Sequence, residues 1–173
     1  MRHGLFMKEL FIVRHAKSDW GDASLDDHER PLNRRGERDA PRMGKALAER
    51  GVRPDVLVSS TAVRAFTTAR IIAAEIRYPE AEIRRREELY LPRPDEVLRV
   101  LRELDESLGS AMVFGHNPGF HETAWQMTRQ SARGELDQFP TCAVAWLKLP
   151  IEFWGEIDFG SGDLVEFLYP KGL

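Results

Sequence analysis

Five residues with side chains suited to handling an anion follow closely on short apolar runs. Arg14 and His15 follow Leu10–Val13; Ser59 closes Val56–Val58, with Arg64 about one helical turn later; His116 comes two residues after Ala111–Phe114. In open α/β sheets, ligands bind beyond the carboxyl ends of the strands, so these distant residues converge if their strands are neighbours. Two guanidiniums and two imidazoles around one point repel unless an anion occupies it, and arginine's planar fork matches phosphate oxygens in pairs. The pattern predicts a phosphoryl site. Backbone N–H groups at the starts of the helices after Ser59 and near Pro118 could add to its grip. Neighbouring cations keep an imidazole neutral, and a neutral imidazole is a competent nucleophile toward phosphorus. Spacing alone does not choose between His15 and His116 as the attacking group.

The elements that must position these residues alternate between strand and helix. Ala40, Met43, Ala46 and Leu47 recur at helical spacing within 34–50, where Gly51 can end the helix. Ala65, Ala69, Ile72 and Ile76 mark a second helix over 62–76, and Val97, Leu98, Leu101, Leu104 and Leu108 a third over 95–108. Asn117 and Pro118 read as cap and first turn of a fourth, running to Met127. A short strand is expected over 82–86, and two more over 141–149 and 164–168. The polar stretch 16–33 has no period and is long for a loop, which makes it a candidate wall of the site. The fold class is therefore α/β: a three-layer α/β/α sandwich whose mostly parallel central sheet carries an antiparallel edge.

Composition narrows the partners. The 173 residues carry 25 Lys+Arg against 28 Asp+Glu, a net charge of −3, so no global basic field points to nucleic acid or an anionic membrane. No apolar run approaches the roughly 20 residues needed to span a bilayer. The first residues lack a signal-peptide pattern and read as mature protein. The single cysteine, Cys142, cannot form an internal disulfide, which favours a cytoplasmic protein. No linker or repeat divides the chain, so residues 1–173 are expected to be one domain, with 1–7 as a frayed terminus.

The chain also resembles a known family. Phe11-Ile12-Val13-Arg14-His15-Ala16 is similar to the Arg-His-Gly signature of the histidine phosphatase (phosphoglycerate mutase-like) superfamily. Further matches, in the right order, are Arg30-Pro31-Leu32-Asn33-Arg34-Arg35-Gly36, the stretch from Val58 to Ala69, and Val113-Phe114-Gly115-His116-Asn117-Pro118. The short length and Arg-His-Ala-Lys-Ser-Asp-Trp look most like its phosphohistidine phosphatase branch, called SixA. The resemblance implies that His15 is the nucleophile, that Arg14, Arg64 and His116 hold the phosphoryl oxygens, and that neither metal nor cofactor is required. Relatives often add a carboxylic acid to protonate the leaving oxygen; the nearest candidates are Glu87 and Glu88, of which Glu88 is the candidate donor. A weak or missing acid favours phosphohistidine, whose imidazole departs more easily than an alkoxide. Between Arg64 and His116 there is no room for a helical lid, so the mouth should admit a phosphorylated side chain of another protein. The alternatives are a small-molecule phosphomonoesterase of the same superfamily and a phosphate-binding module without turnover.

Other motifs read more plainly. Arg2-His3-Gly4 spells the family tripeptide, but no buried strand precedes it, so it is a decoy. His121-Glu122 fails as a zinc motif because Trp125 stands where the second histidine must be. Cys142 reads as a small core residue, Arg84-Arg85-Arg86 as a solvated strand edge, and His28 as a solvated loop residue. Trp20, Trp125, Trp146 and Trp154 read as core or edge packing. One of Lys17, Ser18 and Asp19 is expected to contact phosphate or orient the site.

Overall fold

The computed structural model describes residues 6–173, so the expectation for Arg2-His3-Gly4 lies outside the described residues. Six strands form one sheet in the order β3-β2-β4-β1-β5-β6. Strands β1 (Lys8–Arg14), β2 (Val56–Ser59), β3 (Arg84–Arg85) and β4 (Ser110–Gly115) run parallel, while β5 (Val144–Leu149) and β6 (Asp163–Leu168) add the expected antiparallel edge. The central strands are apolar on both faces. Leu10 and Ile12 of β1 pack into one cluster and Phe11 and Val13 into the other, as strand alternation requires, and β4 divides Ala111 and Val113 from Met112 and Phe114 in the same way. Helices α1 (Arg34–Glu49) and α2 (Val63–Glu75) cover one face; α3 (Pro94–Arg102) and α4 (Gly119–Met127) cover the other.

Helix α1 starts where Asn33 accepts a hydrogen bond from the Gly36 N–H at 2.9 Å, and it stops before Gly51, whose φ is +71°. Three boundaries differ from the sequence pattern. Helix α3 ends at Arg102 rather than 108, because the next segment finds other partners. Asp105 accepts from the Ser107 N–H at 2.9 Å, and Lys8 Nζ donates to the carbonyls of Glu106 and Leu108, each at 2.8 Å. Helix α4 begins at Gly119 rather than being capped by Asn117, whose amide donates to the Phe139 carbonyl at 2.8 Å. Strand β5 begins at Val144 rather than 141, since Cys142 has a φ of +63° and breaks the extended run. From Arg64 to His116 the chain holds the rest of α2, then β3, α3 and β4, with no further α-helix. No helix among the described residues is long and apolar enough to cross a membrane.

Candidate active site

Strands β2, β4 and β1 are adjacent and parallel, so their carboxyl ends open on one edge of the sheet. Arg14 pairs with Gly115 and Ser59 with Phe114, which brings His15, Ser60 and His116 out of the sheet side by side. The His15 N–H bonds the Gly115 carbonyl at 3.0 Å, and the Ser60 N–H bonds that of Phe114 at 2.9 Å. His15, His116, Arg14 and Arg64, drawn from distant stretches of chain, line one cleft of about 340 Å³. A second cleft of about 330 Å³, lined by Arg35, Phe167, Tyr169 and Lys171 among others, contains no histidine; chemistry rather than size distinguishes the two.

The two imidazole rings lie 5.2 Å apart between centroids, and both are buried, His15 with 6% of its surface exposed and His116 with 1%. Nδ1 of His15 sits 2.7 Å from the Ala16 carbonyl oxygen. That oxygen can only accept, so the proton is on Nδ1 and the lone pair is on Nε2. His116 Nε2 lies 2.8 Å from Ser60 Oγ, which already accepts from the Ala62 N–H at 3.2 Å. The serine proton is thus free for Nε2, which leaves the proton of His116 on Nδ1. Burial, reinforced by Arg64 and Arg14, lowers His15 from 6.5 to about 3; burial, His15 and Arg64 lower His116 to about 2. Both rings are neutral at physiological pH.

Nε of Arg14, Nε of Arg64 and Nδ1 of His116 are buried without a hydrogen-bond partner, as is Oδ1 of Asn117. Buried donors are ordinarily satisfied, so three orphaned donors beside a neutral imidazole describe a seat for acceptor oxygens. Arg14 NH1 is anchored at 3.1 Å by the Phe139 carbonyl, which also takes the Asn117 amide. Burial, then the nearby Arg64 cation, pushes the Arg14 guanidinium below its usual range.

The 16–33 loop forms a wall, as its length suggested. It folds back through a Ser18–Leu32 bridge and carries a short 3₁₀ turn, Asp27–Glu29. Arg30 is buried there and donates to Ser18 Oγ at 3.0 Å and to Asp27 Oδ1, while the indole of Trp20 covers its guanidinium at 3.3 Å. Asp27 Oδ2 accepts from Arg64 NH2 at 2.9 Å and from the Tyr90 hydroxyl. The edge of the Tyr90 ring pair with His116 measures 5.3 Å between centroids.

Several expectations need correction. Glu88 does not line the cleft; it is exposed and pairs with Arg86 at 3.0 Å, which removes it as the positioned donor. Ser59 turns its hydroxyl to the Ser60 carbonyl, and Ser60 is the serine that reaches His116. His28 is not simply solvated: its Nε2 is 2.8 Å from Thr61 Oγ1 and its ring packs against Tyr90. Trp20 is 71% exposed at the lip of the cleft rather than packed in the core. Trp125 is exposed as well, with Arg133 over its ring, whereas Trp154 is fully buried. Lys17 and Ser18 line the cleft and Asp19 does not. Among the described residues no cluster of three or more His, Cys, Asp or Glu is arranged to hold a metal ion.

Arginines and imidazoles gathered at the ends of parallel strands define an α/β enzyme of the phosphatase or mutase type. The chain belongs to the histidine phosphatase superfamily: its branch 1 matches residues 10–90, and the chain is 30% identical over 167 residues to an uncharacterized protein of Mycobacterium tuberculosis, covering 92% of this chain and 100% of that one. Two solved structures assigned as the phosphohistidine phosphatase SixA share the fold at a TM-score of 0.81. The one from Nakamurella multipartitia is 29% identical, covering 95% of this chain and 96% of that one; the one from Agrobacterium tumefaciens is 27% identical, covering 94% and 98%.

Proposed function

We propose that this protein is a metal-independent phosphatase of the cytoplasm that removes the phosphoryl group from phosphohistidine on another protein, with His15 as nucleophile. The observation that carries this reading is the set of orphaned donors on Arg14, Arg64 and His116 around a neutral His15. Nε2 of His15 attacks phosphorus while the two guanidiniums and Nδ1 of His116 hold the equatorial oxygens and offset their charge. A phosphohistidine enzyme intermediate forms as the donor's P–N bond breaks. Water then attacks that intermediate and releases phosphate.

The substrate class rests on three supports. With Glu88 paired to Arg86 on the surface and Asp27 held ionised by Arg64, Arg30 and Tyr90, no carboxylic acid among the described residues of the cleft is set to protonate an alkoxide leaving group, which an imidazole does not need. Between Arg64 and His116 the α-helix added after α2 is α3, and its apolar residues pack into the core rather than over the cleft. The likeness to the SixA-assigned structures points the same way. Rapid-quench trapping with a ³²P-labelled phosphohistidine protein should give an acid-labile, alkali-stable phosphoenzyme that is absent in His15→Ala; a phosphoenzyme that persists in that variant refutes the assignment. A panel of phosphoramidates against sugar and nucleotide phosphates tests the substrate, and a strong preference for esters refutes it in favour of a small-molecule phosphomonoesterase.

A further inference from the structure

The second cleft, of about 330 Å³, adjoins the one that holds His15 through two common walls. Pro140 lines the second cleft and the next residue, Thr141, lines the first. Arg35 lines the second, and its neighbour Gly36 packs against Lys17 of the first, where a Cβ would lie 2.1 Å from the Lys17 carbonyl oxygen. Phe167 and Tyr169 make the second cleft aromatic, with 5.5 Å between their ring centroids. Phe139 stacks on Phe167 at the same distance, and its carbonyl is the one that holds Arg14 NH1 at 3.1 Å. A row of rings thus joins this groove to a guanidinium of the phosphoryl seat. Charge marks the groove as well: Arg35 and Lys171 line it against a single carboxylate, Glu135. Arg35 does not have Asp39 to itself, because that buried carboxylate lies 3.5 Å from Arg35, 3.8 Å from Arg38 and 3.5 Å from Arg42. Three guanidiniums share one negative charge. An apolar surface with such a cationic excess is complementary to a ligand whose carboxylates stand beside apolar groups.

We propose that this groove is the docking site for the protein that carries the phosphohistidine, and that it receives acidic side chains within a few residues of the phosphorylated ring. The inference deepens the phosphohistidine reading above and rests on it. An extended segment advances roughly 3.3 Å per residue, so a chain whose phosphohistidine occupies the cup at His15 needs only a few residues to cross the common wall. Its carboxylates then meet Arg35 and Lys171, and its apolar groups meet Phe167 and Tyr169. A small phosphoramidate fills the cup and reaches none of them. The groove therefore adds binding and faster encounter for the protein substrate and leaves the chemistry at phosphorus alone. Arg35 and Lys171 are both exposed, so salt screens what they contribute.

The test measures kcat/KM for phosphoimidazole and for two synthetic phosphohistidine peptides that differ only in carrying three glutamates or three glutamines on either side of the phosphorylated residue. We expect wild type to favour the glutamate peptide about fivefold at 50 mM salt and to lose most of that preference at 500 mM. Lys171→Glu and Arg35→Gln should each erase most of it at low salt, through KM, while phosphoimidazole turnover stays within about twofold of wild type. Equal values for the two peptides in wild type overturn the proposal, and that comparison needs no variant to fold. A preference that survives both substitutions also overturns it. Arg99→Glu, an exposed site on α3 at the opposite face of the sheet, should leave the preference intact; an equal loss there assigns the effect to the charge of the whole molecule and overturns the groove. Wild type that cleaves phosphoimidazole but ignores the flanking residues refutes the docking site alone, whereas wild type that prefers phenyl phosphate to phosphoimidazole refutes the proposed substrate.

Discussion

Nδ1 of His15 lies 2.7 Å from the carbonyl oxygen of the next residue, Ala16. One short contact within the same turn thus sets the tautomer of the proposed nucleophile and turns its lone pair away from the backbone. With its protonation midpoint lowered to about 3, chiefly by burial, the ring stays neutral through the whole mildly acidic range. Nitrogen-15 NMR of the free protein should show His15 as the Nδ1–H tautomer with unchanged shifts from pH 7 to pH 5. Titration near pH 6.5 would contradict the geometry.

The same burial makes folding sensitive to acid. His15 and His116 are neutral when folded, with lowered midpoints of about 3 and about 2, and both take up protons near pH 6.5 when unfolded. The unfolded state therefore binds more protons as pH falls, and stability should drop from about pH 6.5 toward pH 3, by up to about 1.4 kcal/mol per pH unit for each ring. Urea midpoints at pH 6.5, 5.5 and 4.5 measure the slope. Tungstate should make it shallower by favouring the charged rings in the folded state, and His116→Asn should reduce it.

Thr68 ties the turn of the proposed nucleophile to the helix that carries Arg64. Its hydroxyl accepts from the Ala16 N–H at 3.0 Å and donates to the Arg64 carbonyl at 2.7 Å. Thr68→Val strands a buried N–H and should cost about 1–3 kcal/mol of stability. It should also lower kcat, while Thr68→Ser retains most of both. Equal denaturation midpoints for the valine and serine variants would remove the role assigned to this hydroxyl.

Gly36 allows α1 to sit against the segment that follows His15, since a Cβ there would lie 2.1 Å from the Lys17 carbonyl oxygen. Gly36→Ala must push back the backbone two residues beyond His15. We expect a loss of about 1–3 kcal/mol from the overpacking, together with a fall in kcat larger than any change in KM. A thermal midpoint within a degree of wild type would show that the loop yields freely.

Much of this arrangement was legible because it depends on pattern. Leu10–Val13, Val56–Val58 and Ala111–Phe114 are continuous apolar runs, which only a strand covered on both faces uses well, and the four charged or imidazole side chains stand where those runs stop. What stayed hidden depends on tertiary contacts. The Phe139 carbonyl grips Arg14 and Asn117, and the Cys142 N–H reaches the His15 carbonyl at 3.0 Å, yet nothing in the local sequence of 139–142 marks it as scaffold. Arg30 lay within a motif matched to the family, which could have flagged it for the site. Asp27 and Tyr90, separated by 63 positions, have no such marker, and Glu88 stands close in sequence to where relatives keep an acid without reaching the cleft.

Trp20 rests on Arg30, Arg30 grips Asp27, and Asp27 grips Arg64. The molecule consequently carries its own optical gauge: an indole in water, stacked on the first link of a chain of charges that ends at the oxyanion cup. A tetrahedral anion that draws Arg64 toward itself should disturb this chain, so wild type is expected to change its tryptophan emission on tungstate binding and Trp20→Phe to lose that change.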